Sequence, residues 1–121
     1  MTLYGVLQGE TDQCFRACVA TVLQIDLDDL PSVDLDDPGW PIQFKHDLKK
    51  RYGARLEVLP RERLPAWGRW VAIIAPLDSE WHHALVCQDE RILFDPSGRY
   101  GQRPITAHHL ISGVRIHEPG T

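Results

Sequence analysis

One cysteine, a pair of histidines and one aspartate carry the side chains best suited to covalent chemistry. Cys14 falls in the first turn of a predicted helix, where unpaired backbone N–H groups and the helix dipole favour the reactive thiolate. His82 and His83 lie on a predicted strand, and an imidazole that titrates near neutral pH is the general base a thiol needs. Asp95 follows the next predicted strand, where a carboxylate could fix the imidazole tautomer. These residues predict a Cys–His–Asp nucleophilic site.

Gln8, six residues before the cysteine, could supply the group that stabilises a developing negative charge. Its side-chain amide and the backbone N–H of Cys14 could together bind the oxyanion of a tetrahedral intermediate. Removing one such donor typically costs about 10²–10³ in rate. This hypothesis depends on spacing, because a Gln in a loop carries no chemical signal by itself.

The choice between the two histidines depends on the register of a predicted hairpin. With residues 88–90 as a three-residue loop, His83 directly opposes Asp95, and both side chains share one face. His82 then points to the other face, beside Ile92. A two-residue loop would exchange the faces. We therefore expect His83 to be the base, provided that the loop is odd in length or the hairpin contains a bulge.

Two helices are predicted ahead of the strands. The first runs from residue 12 or 13 to about 24, with Thr11 and Asp12 as candidate N-caps. The second begins at Pro41 and ends at Gly53, residues favoured at those two positions. Apolar spacing places five residues on the core face of the first helix: Phe15, Cys18, Val19, Val22 and Leu23. The corresponding residues of the second are Ile42, Leu48 and Tyr52.

The remaining chain favours strands at 55–59, 70–75, 81–87, 91–94 and 114–117, with a helical turn at 106–110. Helices first and an antiparallel sheet second are typical of the α+β class. The expected fold is a single domain, 1–121, whose N-terminal helix carries the nucleophile and packs on the sheet. Cys18 and Cys87 are expected to be core residues.

Composition narrows the classes of function. The formal net charge is −4, from 13 Lys and Arg against 17 Asp and Glu, so no basic stripe favours nucleic-acid binding. The longest apolar run, 71–75, is far short of the roughly 20 residues of a membrane span. Residues 1–8 lack the features of a secretory signal, and three cysteines suggest thiols in a reducing compartment. We expect a cytoplasmic protein without nucleic-acid or membrane partners, and its oligomeric state stays open.

The order of these residues resembles the papain-like cysteine peptidase superfamily. The resemblance lies in Gln8, in Cys14 opening a helix, in the strand His83-Ala84-Leu85-Val86 and in Phe94-Asp95-Pro96. It is nearest to minimal bacterial and phage branches, including bacteriocin-leader peptidases and papain-fold toxin domains. Leader peptidases usually have Asp-Cys-Gly at the nucleophile, whereas this chain has Gln13-Cys14-Phe15. A leader-peptide substrate is therefore not implied.

The resemblance implies a papain-like fold and a role for each site residue. Cys14 would be the nucleophile, His83 the general base and acid, Asp95 the orienting residue and Gln8 the oxyanion donor. The reaction would be hydrolysis of a peptide or isopeptide amide through a thioester, on a protein or peptide substrate. No metal or organic cofactor is required for this chemistry.

Three alternatives remain open from the sequence. The same chemistry could serve a glutamine deamidase or a transglutaminase-like modifier. A papain-fold binding module without turnover is the second, since four Trp residues could form a binding surface. A zinc site built from Cys14, Cys18 and one histidine of the pair is the third. In the enzyme hypothesis, Trp81 and Trp40 are expected to contact substrate.

Overall fold

The computed structural model describes residues 14–26, 29–30, 37–75, 83–96 and 110–118. The helices are α1 (Cys14–Leu23) and α2 (Trp40–Tyr52), with a short 3-10 helix at Arg61–Arg63. The strands are β1 (Arg55–Leu59), β2 (Arg69–Ile74), β3 (His83–Gln88), β4 (Arg91–Phe94) and β5 (Leu110–His117). All pairings are antiparallel in one sheet of order β1-β5-β2-β3-β4. The predicted α+β class with an antiparallel sheet is confirmed.

Helix α1 is the most deeply buried element of the described chain. Its residues from Cys14 to Val22 are all buried, and the helix packs against β3 and β2. The helix ends where Gln24 adopts a positive φ of 56°, and Ile25 N donates to the carbonyl of Ala20 at 3.0 Å. The candidate N-caps Thr11 and Asp12 lie outside the described residues. Burial on all sides means that tertiary packing, rather than helix propensity, holds α1 in place.

Helix α2 ends as its sequence predicts. Gly53 has a φ of 67°, and its N–H donates to the Lys49 carbonyl at 2.9 Å, the left-handed cap that glycine adopts without strain. The predicted core residue Ile42 is wrong, because it is 77 % exposed. Phe44 and Leu48, spaced four residues apart, are the buried residues of α2. The helix therefore presents a face rotated from the one that its apolar pattern suggested.

The sheet buries apolar side chains on both faces. On the face covered by the helices, six strand residues pack against Phe15, Val19 and Phe44 of the helices. They are Leu56, Val71, Ile73, Ala84, Val86 and Val114. The opposite face carries Leu59, Trp70, Ala72, Ile74, Leu85, Cys87 and Ile92. Cys18 and Cys87 are fully buried in these two clusters, so their prediction as core residues is confirmed.

Gly113 in β5 permits a close approach within the second cluster. A Cβ atom built there would lie 2.8 Å from Leu64 Cδ2 and 2.9 Å from Trp70 Cε3. Those distances are below van der Waals contact, so a side chain at this position would displace both neighbours. The strand itself begins at Leu110, earlier than predicted, and the rest of the predicted turn, 106–109, lies outside the described residues.

The β3–β4 hairpin corrects the predicted register. Its turn has two residues, so Gln88 pairs with Arg91 and Cys87 with Ile92, and the three-residue loop is wrong. Between Val86 and Cys87 the register shifts, and Val86 pairs with Phe94. Ile92 joins the second cluster with Cys87, and His82, which was predicted to lie beside Ile92, is outside the described residues. Turn geometry and the bulge are set by tertiary contacts that the sequence pattern does not reveal.

The turn of this hairpin is fixed to the start of β2. Asp89 has a φ of 54°, which an aspartate tolerates better than most residues. Its Oδ1 accepts the Gly68 N–H at 2.6 Å, and its backbone N–H donates to the Gly68 carbonyl at 2.8 Å. The indole N–H of Trp70 donates to the Asp89 carbonyl at 2.8 Å. Three hydrogen bonds thus offset the strained backbone at residue 89.

Within the described ranges, none of the helices has the length and apolar character required to cross a membrane.

Candidate active site

Cys14 lies at the beginning of α1 with 4 % of its surface exposed. Cys14 belongs to the apolar cluster on the helix-covered face of the sheet, so water has little access to its sulfur. The same side chain forms a hydrogen bond with His83. The sulfur therefore contacts an imidazole despite its apolar surroundings.

His83 and Asp95 form a buried pair. The Nε2 atom of His83 lies 2.9 Å from Oδ1 of Asp95, and the two side chains are 11 % and 2 % exposed. With Nε2 engaged by the carboxylate, a proton exchanged with the cysteine would pass through Nδ1. The imidazole thus has a carboxylate on one side and a thiol group on the other.

The contact between His83 and Asp95 follows neither the predicted register nor strict strand alternation. Continuing the register from the Val86–Phe94 pair past the end of β4 would set Asp95 opposite Leu85 rather than His83, so the predicted direct opposition is wrong. The two side chains nevertheless meet, because His83 is the first residue of β3 and Asp95 directly follows β4. At these strand ends the alternation of faces no longer fixes the direction of a side chain.

The position of His83 at the end of β3 allows it to reach α1. Ala84 and Val86 pack on the helix-covered face, so strict alternation would direct His83 to the opposite face, with Leu85. The hydrogen bond to Cys14 shows that the alternation does not extend to the first residue of the strand. The neighbouring register of β2 against β5 also shifts between Ile73 and Ile74, at the same end of the sheet.

The surroundings of His83 favour its protonated form. Burial of the ring lowers its pKa, but this effect is outweighed by the hydrogen bonds to Asp95 and Cys14 and by the negative charges of those groups. Together they raise the pKa of His83 from 6.5 to about 9. At neutral pH the ring is therefore an imidazolium, rather than the free base expected from an imidazole that titrates near neutrality.

The other two cysteines lack this environment. Burial, followed by the nearby charges of Cys14, Cys87 and Asp95, raises the pKa of Cys18 well above 9.0. Burial raises the pKa of Cys87 to about 12, although a backbone hydrogen bond with Ala72 opposes the shift. Both side chains remain thiols at neutral pH. Cys14 is the cysteine in contact with a basic group.

Several predicted site residues lie outside the described part of the chain. These are Gln8, Trp81 and His82. Trp40 is described and half-buried, and its ring packs edge-to-face on Phe15 with centroids 4.9 Å apart. Phe15 follows the candidate nucleophile directly, so Trp40 connects α2 to the beginning of α1. Its contact with substrate stays a prediction.

Arg16 is a buried polar residue of α1 that the sequence analysis missed. It is 8 % exposed, and its guanidinium donates to the Leu30 carbonyl at 2.5 Å. Arg51 and the hydroxyl of Tyr52 donate to the Asp29 carbonyl at 3.0 and 2.9 Å. These donors attach residues 29 and 30 to both helices. The sequence signal that could have identified Arg16 is its charge within an otherwise apolar helix.

The described residues do not form the zinc site that the sequence left open as an alternative. Among residues 14–26, 29–30, 37–75, 83–96 and 110–118, no three His, Cys, Asp or Glu side chains are grouped to hold a metal ion. All three cysteines of the chain are free thiols.

Comparisons with known proteins assign no class. No protein-family model matches the chain, and no match was found among curated proteins or solved structures. The function is accordingly argued from the arrangement of Cys14, His83 and Asp95.

Proposed function

We propose that this chain is a papain-like cysteine hydrolase that cleaves peptide or isopeptide amides through a thioester. The observation that supports the proposal most strongly is the position of His83, hydrogen-bonded to Cys14 and 2.9 Å from the buried carboxylate of Asp95. A nucleophile, a base within hydrogen-bonding reach and a third group that orients the base are the elements that covalent catalysis needs.

The first half of the reaction forms the acyl-enzyme. The sulfur of Cys14, as thiolate, attacks the carbonyl carbon of the scissile amide, and the carbonyl oxygen becomes an oxyanion. The carbon–nitrogen bond then breaks while the imidazolium of His83 gives its proton to the departing amine. A raised pKa suits this step, because the ring enters the reaction already carrying the proton.

The second half of the reaction releases the acid product. Neutral His83 accepts a proton from water as the water oxygen attacks the thioester carbonyl. The carbon–sulfur bond breaks, the thiolate of Cys14 is regenerated and the imidazolium is restored. The chain gains no net proton and consumes one water for each amide cleaved.

Asp95 orients the ring throughout both steps. With its carboxylate on Nε2, it holds Nδ1 toward the sulfur and stabilises the positive charge on the imidazole. Its near-complete burial strengthens this interaction, because less water competes for the carboxylate. By resemblance, Gln8 and the Cys14 backbone N–H would bind the oxyanion.

The proposed setting is the cytoplasm, with a protein or peptide as substrate. The free state of all three cysteines is compatible with a reducing compartment, in which a thiol nucleophile remains active. The proposed origin of the domain is a phage or a bacterium, from the family resemblance.

A search for new peptide termini tests the proposal without a known substrate. A bacterial protein extract is incubated with the wild-type chain or with Cys14→Ala, and new N-termini are labelled and identified by mass spectrometry. The proposal predicts a reproducible set of termini with the wild-type chain and none with Cys14→Ala. Identical sets would contradict it. A one-dalton gain on Gln residues, or cross-links without cleavage, would replace hydrolysis with deamidation or transfer.

A further inference from the structure

A groove between α2 and the sheet edge lies apart from the candidate active site. Its volume is about 360 Å³, and it is lined by Lys45, Lys49 and the segment 54–58, which includes all of β1 except its last residue. In the sheet order, three strand spacings separate β1 from β3, about 14 Å at 4.8 Å per spacing. The groove therefore does not belong to the Cys14 site.

The strand that forms one wall of the groove is an edge of the described sheet. β1 pairs with β5 on one side, and no other strand among the described residues pairs with it. An edge strand presents backbone N–H and C=O groups that an additional extended segment can pair with. Val58, at the end of β1, leaves 39 % of an apolar side chain exposed beside these groups.

The helix that forms the other wall contributes positive charge. Lys45 and Lys49 are exposed and make no ion pair with another described residue. As like charges at positions i and i+4, they disfavour the helix locally. Asp47, between them, is engaged with Gln43 and His46. Arg55 adds a further cation to the groove, and Glu57 is hydrogen-bonded to His117.

The spacing of the two lysines matches an extended peptide. Residues four apart on a helix rise about 6 Å, since each residue rises 1.5 Å. Side chains two apart on a strand, which share one face, are separated by about 6.7 Å. A strand added to β1 would thus present successive same-face side chains at the spacing of Lys45 and Lys49. The positive groove, within a chain of net charge −4, complements carboxylates.

From this geometry we infer that the groove binds an extended acidic peptide segment of a partner protein, which adds as a strand to β1 and directs alternate carboxylates to Lys45 and Lys49. The backbone pairing supplies affinity for an extended segment, and the lysines select the acidic side chains. The site is independent of turnover at Cys14.

The test uses a fluorescent eight-residue peptide of alternating Glu and Val as the probe, measured by fluorescence anisotropy. The inference predicts binding that weakens with added salt, and no binding of the matched Lys-Val peptide. The double variant Lys45→Glu/Lys49→Glu should weaken binding about tenfold or more. Lys50→Glu is the matched control, because this exposed lysine of α2 does not line the groove, and its effect should be small.

Backbone pairing is tested on the peptide rather than on the protein. A Glu-Val peptide with N-methyl groups on alternate residues keeps its charge but loses the donors that pair with β1, and it should bind at least about tenfold more weakly. Equal binding of both peptides, or equal effects of Lys50→Glu and the groove variants, would overturn the inference. So would a dimer that the groove variants dissociate, since a second copy would then be the occupant. Unchanged thermal unfolding of the variants confirms that the fold is retained.

Discussion

The Nε2 atom of His83 lies 2.9 Å from Oδ1 of Asp95, across the open end of a hairpin that carries a one-residue bulge in β4. Leu93 is the extra residue between the Cys87–Ile92 and Val86–Phe94 pairs. His83 is the first residue of β3, and Asp95 directly follows β4. The contact therefore depends on how these two strand ends meet as well as on the two side chains.

Replacing Asp95 with Asn should lower the pKa of His83. The variant keeps the size of the side chain but removes the negative charge that helps to raise this pKa to about 9, and it leaves only a neutral, weaker acceptor. Histidine ring resonances followed by NMR across pH should show His83 titrating nearer to 6.5. Asp47→Asn, on exposed α2, is the control and should leave the titration unchanged. On any substrate found, Asp95→Asn should reduce kcat by about 10²–10⁴.

The raised pKa of His83 also predicts a pH-dependent term in stability. A group whose pKa is higher in the folded than in the unfolded state stabilises the fold fully below the unfolded value, here 6.5. That contribution is lost as pH rises through about 9. Urea unfolding at pH 6.5 and 9.5 should show a loss on the order of 3 kcal/mol in the wild-type chain beyond that in His83→Gln. Equal losses in the two chains would show that His83 is not held protonated.

Replacing His83 should reduce turnover far more than replacing His82. His83→Ala should remove nearly all activity, because it deletes both the acid and the base of the proposed reaction. His82→Ala should be much milder, since His83 is the histidine that contacts Cys14 and Asp95. Comparison of kcat/KM for the two variants, on a substrate identified from new termini, measures this. A larger effect at His82 would exchange their roles.

Gly113→Ala should destabilise the fold without touching the site. The added Cβ would meet Leu64 and Trp70 at 2.8 and 2.9 Å, so packing in the second cluster must shift. The expected loss is about 1–3 kcal/mol in the free energy of unfolding. Gly39→Ala is the control, because its nearest contact would be 3.5 Å, an ordinary distance. Equal losses of stability in the two variants would show that contact of the added Cβ atom with Leu64 and Trp70 does not cause the destabilisation.

Asp89→Ala should weaken the hairpin turn. The change removes the acceptor of the Gly68 N–H and leaves alanine at a φ of 54°, so a loss of about 1–3 kcal/mol is expected in urea unfolding. Asp89→Asn keeps an oxygen acceptor and tolerates this φ, so it should lose much less. A similar loss in both variants would indicate that the carboxylate charge, rather than the acceptor, stabilises the turn.

Local patterns predicted the regular elements of this fold well. Strand β1 ends directly before Pro60, and α2 ends at a glycine, so both boundaries follow from short-range chemistry. The buried face of α2 did not follow from such local patterns, because Ile42 points to solvent while Phe44 packs against Phe15 of α1. That choice depends on a tertiary partner rather than on periodicity.

The candidate site was predictable in its residues but not in its geometry. The presence of Cys14 at a helix start, of His83 on a strand and of Asp95 directly after the next strand follows from spacing. The bulge at Leu93 leaves no pattern in the sequence, and the raised pKa of His83 arises only when the side chains of Asp95 and Cys14 meet the same buried ring. The contribution of Gln8 remains a prediction, outside the described residues.

The most direct test of the central claim is the rate at which Cys14 reacts with iodoacetamide at pH 6.5, with labelled cysteines identified by mass spectrometry. We expect Cys14 to react faster than Cys18 and Cys87, and His83→Gln to slow the reaction of Cys14 at least about tenfold while the variant still unfolds in one cooperative thermal transition. Reaction of Cys14 at the same rate in both proteins, or no faster than that of the two buried cysteines, would contradict the proposed thiolate–imidazolium pair.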